Sequence, residues 1–304
     1  MSDENANSEK ALQPDAAHAE AASKGFFAEL MRQFTVAWLF MTRIDVPRWW
    51  NKPEPLEDTE LDAETLAAGP DKGKGMVPLA DTVRTWPVVG LLVGAFAGAA
   101  LWLGASAGLS PLAASFVALI VAALATGALH EDGLADVADG FGGGADKAKK
   151  LRIMHDSHIG TYGVLALVMS VGIKAGSLSG FNDPALAAAA VIAAHTVSRA
   201  ALPMLMVALA PVRASGLGKA AGQPKREDAV MAAVIGVLIA VLTLGIGPGV
   251  VAAALAALGV AAVGWLAKRH IGGFTGDVLG AAQQVAEALV FAGLAVGLRT
   301  VFYS

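Results

Sequence analysis

Apolar residues fill seven long stretches of this chain almost without interruption, and the short segments between them alternate between basic and uncharged. The stretches are Trp86–Ala107, Leu109–Leu129, Tyr162–Phe181, Ala185–Leu209, Ala229–Ile246, Gly249–Leu266 and Val278–Thr300. Each is close to the roughly 20 residues that a helix needs to cross a bilayer. They are apolar all round, whereas the helices of a soluble bundle keep a polar face. The pattern predicts an all-α fold, a polytopic integral membrane helical bundle with about seven transmembrane helices. Ahead of them, Phe27, Leu30, Met31, Phe34, Trp38 and Met41 recur at helical spacing between Gly25 and Thr42. That stripe predicts an N-terminal amphipathic helix at the membrane interface, with Trp49 and Trp50 as headgroup anchors. Residues 1–24 are polar and Ala-rich and read as a disordered tail, leaving 25–304 as a single membrane domain. Lys52 to Pro78, rich in Pro, Glu and Asp, reads as a loop. Pro87 and Pro111 suit first helical turns, and Pro203 predicts a kink.

Composition strengthens this picture. Of 304 residues, 55% are hydrophobic and 16% charged, against about a quarter charged in a typical soluble domain. The mean hydropathy is +0.58. The formal net charge of -4 gives no basic patch for nucleic acid. Cysteine is absent, which removes disulfides and thiolate chemistry and leaves oxygen and imidazole ligands. The first residues lack the apolar core of a secretory signal.

Basic residues set the orientation. Arg43, Arg48, Lys72, Lys74 and Arg84 precede the first span; Lys147, Lys149, Lys150 and Arg152 follow the second. Arg213, Lys219, Lys225 and Arg226 follow the fourth, and Lys268 and Arg269 the sixth. The other three connections carry no Lys or Arg. By the positive-inside rule the N-terminus and every basic loop are expected in the cytoplasm, and the C-terminus outside. Segments 130–160, 210–228 and 268–277 then fall on one face, as cytoplasmic active-site loops.

The richest of these begins His130-Glu131-Asp132-Gly133 and continues to Gly160. Asp132, Asp136 and Asp139 are spaced i, i+4 and i+7, along one face of a helix. Carboxylates so spaced repel one another, and no Lys or Arg interleaves them. A hard divalent cation with oxygen ligands answers that, Mg²⁺ first and Mn²⁺ second. Asp156 is a further ligand or a general base. Gly140, Gly142, Gly143 and Gly144 suggest a loop whose N–H groups approach phosphate, with Lys147, Lys149, Lys150 and Arg152 beside it. Carboxylates, metal, glycines and cations are the parts of phosphoryl transfer. The plainer alternatives are a solvated acidic face, a glycine hinge, and basic residues placed only by topology. His155 and His158 read as surface residues.

Ionisable residues inside spans are costly and usually functional. Arg199 lies midway in the fourth span with His195 one turn before it, Lys174 lies in the third, and Gln283, Gln284 and Glu287 open the seventh. Arg199 and Glu287 make a candidate intramembrane pair. Gly272 to Ala281, including Gly276 and Asp277, is a second glycine-rich turn opening a helix, where N–H groups favour anions.

Several segments together resemble the adenosylcobinamide-GDP ribazoletransferase (cobalamin or cobamide synthase) family. They are Thr42 to Pro47, Trp86 to Gly90, His130 to Gly140, Ile153 to Gly163, Val197-Ser198-Arg199, Gly216-Leu217-Gly218 and Gly272 to Ala281. The resemblance runs in order from about residue 30 to the C-terminus. It implies an Mg²⁺-dependent transferase of the bacterial inner membrane. Adenosylcobinamide-GDP is attacked by a ribose hydroxyl of α-ribazole or its 5′-phosphate, GMP leaves, and the nucleotide loop of the cobamide closes. By position it implies Asp132, Asp136, Asp139 and Asp156 as metal-binding and catalytic, with Arg199 catalytic. Asp277 stands in the family's Gly-Asp turn, and Gly140, Gly142, Lys150, Arg152, Gly276 and Glu287 are the further binding candidates that the residues themselves offer. Glu131 and His155 depart from the family pattern, which has an apolar or aromatic residue and an Arg there. Expected partners are the two substrates, the lipid bilayer, other cobamide-assembly enzymes and further copies of this chain, with no nucleic acid. The spacing Asp136-x-x-Asp139-Gly140 is also similar to the start of the CDP-alcohol phosphotransferase motif, an analogy of chemistry rather than fold.

Two other classes compete. A secondary transporter would use Arg199, His195 and Glu287 as a midplane site, but it leaves the acidic stripe unused, and the halves show no inverted repeat. The other is a non-catalytic membrane scaffold for a biosynthetic complex, which metal-independent partner binding that survives Asp132, Asp136 and Asp139 all becoming Ala would favour.

Overall fold

The computed structural model describes residues 25–46, 78–212 and 222–302, the last five by backbone alone. The expected disordered tail, the 52–78 loop apart from Pro78, Trp49, Trp50 and Gly216-Leu217-Gly218 lie outside the described residues. Helix α1 covers residues 25–41. A 3-10 turn at Leu79–Thr85 leads into α2 (Trp86–Ser106). There follow α3 (Pro111–Thr126), α4 (Leu129–Gly143), α5 (Lys147–Ile153), α6 (Thr161–Leu178) and α7 (Pro184–Ala208). The last three are α8 (Arg226–Leu244), α9 (Ile246–Ile271) and α10 (Gly276–Phe302).

Among the described residues, six stretches are long and apolar enough to cross a membrane: α2 with its leading turn, α6, α7, α8, α9 and α10. The second expected span needs correction. Leu109–Leu129 is not one helix; α3 stops at Thr126, and the chain bends by 92° into α4. Seven spans result only if this bent pair is counted as one. The bend is made by two successive left-handed residues, Gly127 (φ +64°) and Ala128 (φ +56°). A side chain at Gly127 would strike the Arg43 side chain, and the Arg43 backbone N–H donates to the Ala125 carbonyl at 2.8 Å. Trp38 Nε1 donates to the Ile44 carbonyl at 2.9 Å, so the end of α1 buttresses the corner. The C-terminal half of the α1 stripe, Phe34, Trp38 and Met41, is buried in the bundle, while Phe26 and Phe27 are exposed.

Without a hydrophobic drive between helices in lipid, close packing holds a membrane bundle together, and small residues permit it. Gly90, Gly94 and Gly98, one turn apart on α2, lie against the α7 backbone at His195, Ile192 and Ala188. A Cβ at Gly94 would sit 2.8 Å from the Ile192 Cα, and one at Gly98 2.9 Å from the Ala188 carbonyl oxygen. Gly259 of α9 faces the Ala286 backbone of α10 in the same way. Pro203 lies buried within a helix that runs unbroken from Pro184 to Ala208. Pro248 falls in the first turn of α9, after Gly245 (φ +85°), where its missing N–H costs nothing.

Candidate active site

The acidic segment is helical, as its spacing predicts, and α4 is fixed at both ends. At its N-terminal end it crosses α10 through glycines. A Cβ at Gly133 would lie 2.7 Å from the Asp277 carbonyl oxygen, and one at Gly280 3.2 Å from the His130 Cα. The Gly272–Ala281 turn and the acidic helix, far apart in sequence, are thus in backbone contact. Thr275 caps α10, accepting the Val278 N–H at 3.3 Å, and its hydroxyl donates to Asp277 Oδ2 at 3.2 Å.

At the other end of α4, Asp139 is only 8% exposed. Its carboxylate accepts the Gly160 N–H at 2.7 Å and the Gly163 N–H at 2.9 Å, the first turn of α6. Asp132 is exposed and Asp136 half-buried on the same helix. Seven residues of helix separate Asp132 and Asp139 by about 10 Å along the axis, so one face does not mean one site. Among the described residues no three His, Asp or Glu side chains stand close enough together to hold a metal ion.

The glycine run is a correction to the expected loop. Gly140, Gly142 and Gly143 are inside α4, and the first two use their missing side chains to admit neighbours. The Met154 side chain and Lys150 carbonyl close on Gly140, and the Tyr162 ring stands 2.7 Å from a Cβ at Gly142. Helix packing, not an open turn, is what these glycines provide locally.

Basic residues gather beside this helix. Asp146 caps α5 by accepting the Lys149 N–H at 2.8 Å. Lys147 Nζ lies 3.4 Å from where a Cβ at Gly272 would be, so α5 abuts the α9–α10 turn. The rings of Phe141 and His270 stack at 4.5 Å, joining α4 to α9. The chain after α7 joins the same turn: Val212 N–H donates to the Phe274 carbonyl at 2.9 Å, and Phe274 N–H to the Ala210 carbonyl at 3.0 Å. Described parts of all three segments expected to form the site therefore meet at one end of the bundle.

Asp156 stands apart from α4, in the turn after α5. It is exposed, and its Oδ1 lies 2.7 Å from His158 Nδ1 and accepts the His158 N–H at 3.0 Å. These hydrogen bonds from His158, the side-chain one foremost, hold its carboxyl below the usual carboxylate range. Lys150 and Arg152 are carried by α5, and His155 is exposed.

Arg199 and Glu287 lie elsewhere, enclosed among α4, α6, α7 and α10, each 1% exposed. The candidate intramembrane pair forms, with Arg199 NH1 3.4 Å from Glu287 Oε1. Glu287 is also 2.5 Å from His195 Nδ1 and 3.4 Å from Lys174 Nζ, and it accepts from Gln283. Gln284 accepts from Lys174 at 2.6 Å and donates to Glu131 at 2.9 Å, tying the cluster to the acidic helix. Ser198 accepts from Gln283 at 3.2 Å. Lys174, His195, Gln283 and Gln284 are the polar span residues singled out above without a part in the reaction, and Glu131 is one of the two departures from the family pattern. His195 lies one turn before Arg199 and Gln283 one turn before Glu287, which is the signal the sequence carries for this cluster.

Comparison with known proteins agrees with this architecture. The sequence profile of the family described as cobalamin-5-phosphate synthase matches residues 33–295. The chain belongs to that family. Among its relatives, the adenosylcobinamide-GDP ribazoletransferase of Bradyrhizobium diazoefficiens is 46% identical over 209 residues, 68% of this chain and 80% of the relative. That of Azorhizobium caulinodans is 46% identical over 220 residues, 70% and 83% respectively. That of Mesorhizobium japonicum is 44% identical over 229 residues, 75% and 87%. No solved structure matches the chain.

Proposed function

We propose that this family member is an adenosylcobinamide-GDP ribazoletransferase of the bacterial inner membrane, joining adenosylcobinamide-GDP to α-ribazole or its 5′-phosphate with release of GMP. The observation that carries it is the meeting of the acidic helix, the basic α5 and the Gly272–Asp277 turn at one end of the bundle, in a chain with relatives of that name. The charge alternation of the loops supports a cytoplasmic position for this end.

Mg²⁺ suits the donors. It is commonly held by one or two carboxylates plus substrate phosphates rather than by an all-protein cage. Asp132 and Asp136, one turn apart, supply such a pair. The ion would neutralise charge on the pyrophosphate as GMP departs. Lys147, Lys150, Lys268 and Arg269 surround the same end and are assigned to the phosphates. Asp156, held ionised by His158, makes a poor base near neutral pH; its better role is a ligand recruited with substrate. Enclosure of Arg199 and Glu287 favours a role in holding α7 against α10 over direct contact with the leaving group.

The test is to incubate the protein in nanodiscs with adenosylcobinamide-GDP, α-ribazole 5′-phosphate and Mg²⁺ and to follow GMP. Stoichiometric GMP and a completed cobamide are expected, abolished by EDTA and restored by Mg²⁺ or Mn²⁺. Solute uptake into proteoliposomes with no GMP formed would instead support a transporter.

A further inference from the structure

The three aspartates of the acidic helix have different surroundings, and one of them completes another helix. The first turn of an α-helix leaves N–H groups without partners, and its N-terminus favours negative charge. Most helices answer this with a Ser, Thr, Asp or Asn at the N-cap. Helix α6 has Gly160 there and no side-chain cap of its own. The missing oxygens come from Asp139, 21 residues earlier, through the 2.7 Å and 2.9 Å bonds to Gly160 and Gly163. Both glycines are needed for this: a Cβ at either would collide with the Asp139 carboxylate.

We propose that Asp139 is a positioning residue: its carboxylate caps α6 from a neighbouring helix and so fixes where α4 presents Asp132 and Asp136, and it is not itself a metal ligand. At the other end of α4, Glu131 accepts from Gln284 of the buried cluster. The acidic motif thus divides its work, with Glu131 and Asp139 anchoring the helix and Asp132 and Asp136 meeting the phosphates. The second half of this division rests on the proposed function; the cap does not.

The experiment compares Asp139→Ala, Asp139→Asn, Gly163→Ala and Asp136→Asn in nanodiscs, by hydrogen–deuterium exchange of the 159–165 segment, Mn²⁺ affinity in the presence of GDP by electron paramagnetic resonance, and GMP release. Asp139→Ala should speed exchange of the Gly160 and Gly163 amides by about tenfold or more, as loss of a charge-assisted cap implies. Its GMP release should fall at least as far, with Mn²⁺ affinity within about twofold of wild type. Gly163→Ala keeps the charge but evicts the carboxylate, and should match it. Asp139→Asn, in which one oxygen remains to cap, should fall between wild type and Asp139→Ala and covers the case in which Asp139→Ala does not fold. Asp136→Asn should leave exchange unchanged and weaken Mn²⁺ by about tenfold or more. Unchanged exchange in Asp139→Ala, or loss of Mn²⁺ affinity in Asp139→Asn equal to that of Asp136→Asn, overturns the proposal. A wild-type protein that makes no GMP overturns the proposed function, while the exchange data still decide the cap.

Discussion

Replacing Glu287 with Ala strips the one carboxylate that Lys174, His195 and Arg199 share. Lys174 and Arg199 are 3% and 1% exposed, so no solvent reaches them to replace it. The two cations stand 3.4 Å from Glu287 and His195 stands 2.5 Å away. Removing one partner of a buried charged set costs about 3–5 kcal/mol, because the others remain buried and uncompensated. At roughly 2–4 °C per kcal/mol, that is a fall on the order of 10 °C in midpoint. Fluorescence-detected size-exclusion after heating in detergent reads it directly. Adding Lys174→Met should recover part of the loss, with a coupling of about 1 kcal/mol or more between the two sites. A Glu287→Ala midpoint within 2–3 °C of wild type, a shift worth only about 1 kcal/mol, would show that the cluster does not hold the bundle together.

Two further outcomes follow from packing and from charge. Gly94→Ala should destabilise by about 1–3 kcal/mol, since its Cβ meets the α7 backbone at 2.8 Å; Gly172→Ala on α6, with nothing within 4 Å, should stabilise by up to about 1 kcal/mol, both read as thermal midpoints in the same detergent. The Asp156 carboxyl is held low by His158, so what their bond contributes is present above the ordinary carboxylate pKa and is lost as pH falls through the depressed one. Carbon-13 NMR of labelled Asp should show Asp156 titrating below the ordinary range and returning towards about 3.9 in His158→Ala.

The spans were legible because bilayer thickness fixes their length and apolar composition marks them; six of the seven appear within a few residues of their expected limits. The second was overextended because its break includes Ala128, a residue type that gives no warning of a left-handed backbone. Helical spacing correctly placed Asp132, Asp136 and Asp139 on one helix, but periodicity says nothing of position along the axis, where Asp139 meets α6. The glycine run at Gly140 reads as a loop in isolation, and only Met154 and Tyr162, closing on it from later segments, make it a packing surface. Likewise, Arg199 with Glu287 was visible as a pair of intramembrane charges, whereas the link through Gln284 to Glu131 depends on how α4 and α10 cross.

The corner at Gly127 and Ala128 also bears on the lipid around the protein. Sixteen residues of α3 give a rod of about 24 Å, some 6 Å short of a typical hydrocarbon slab of about 30 Å. Such hydrophobic mismatch is relieved by local thinning of the bilayer or by a shift in helix depth, each at a modest cost per ångström. Where α3 sets the local thickness, the bundle would draw α4 and its carboxylates below the level of the surrounding headgroups. Water-soluble reactants would then meet the carboxylates in a dimple of the membrane, whose depth depends on the acyl-chain length of the host lipid.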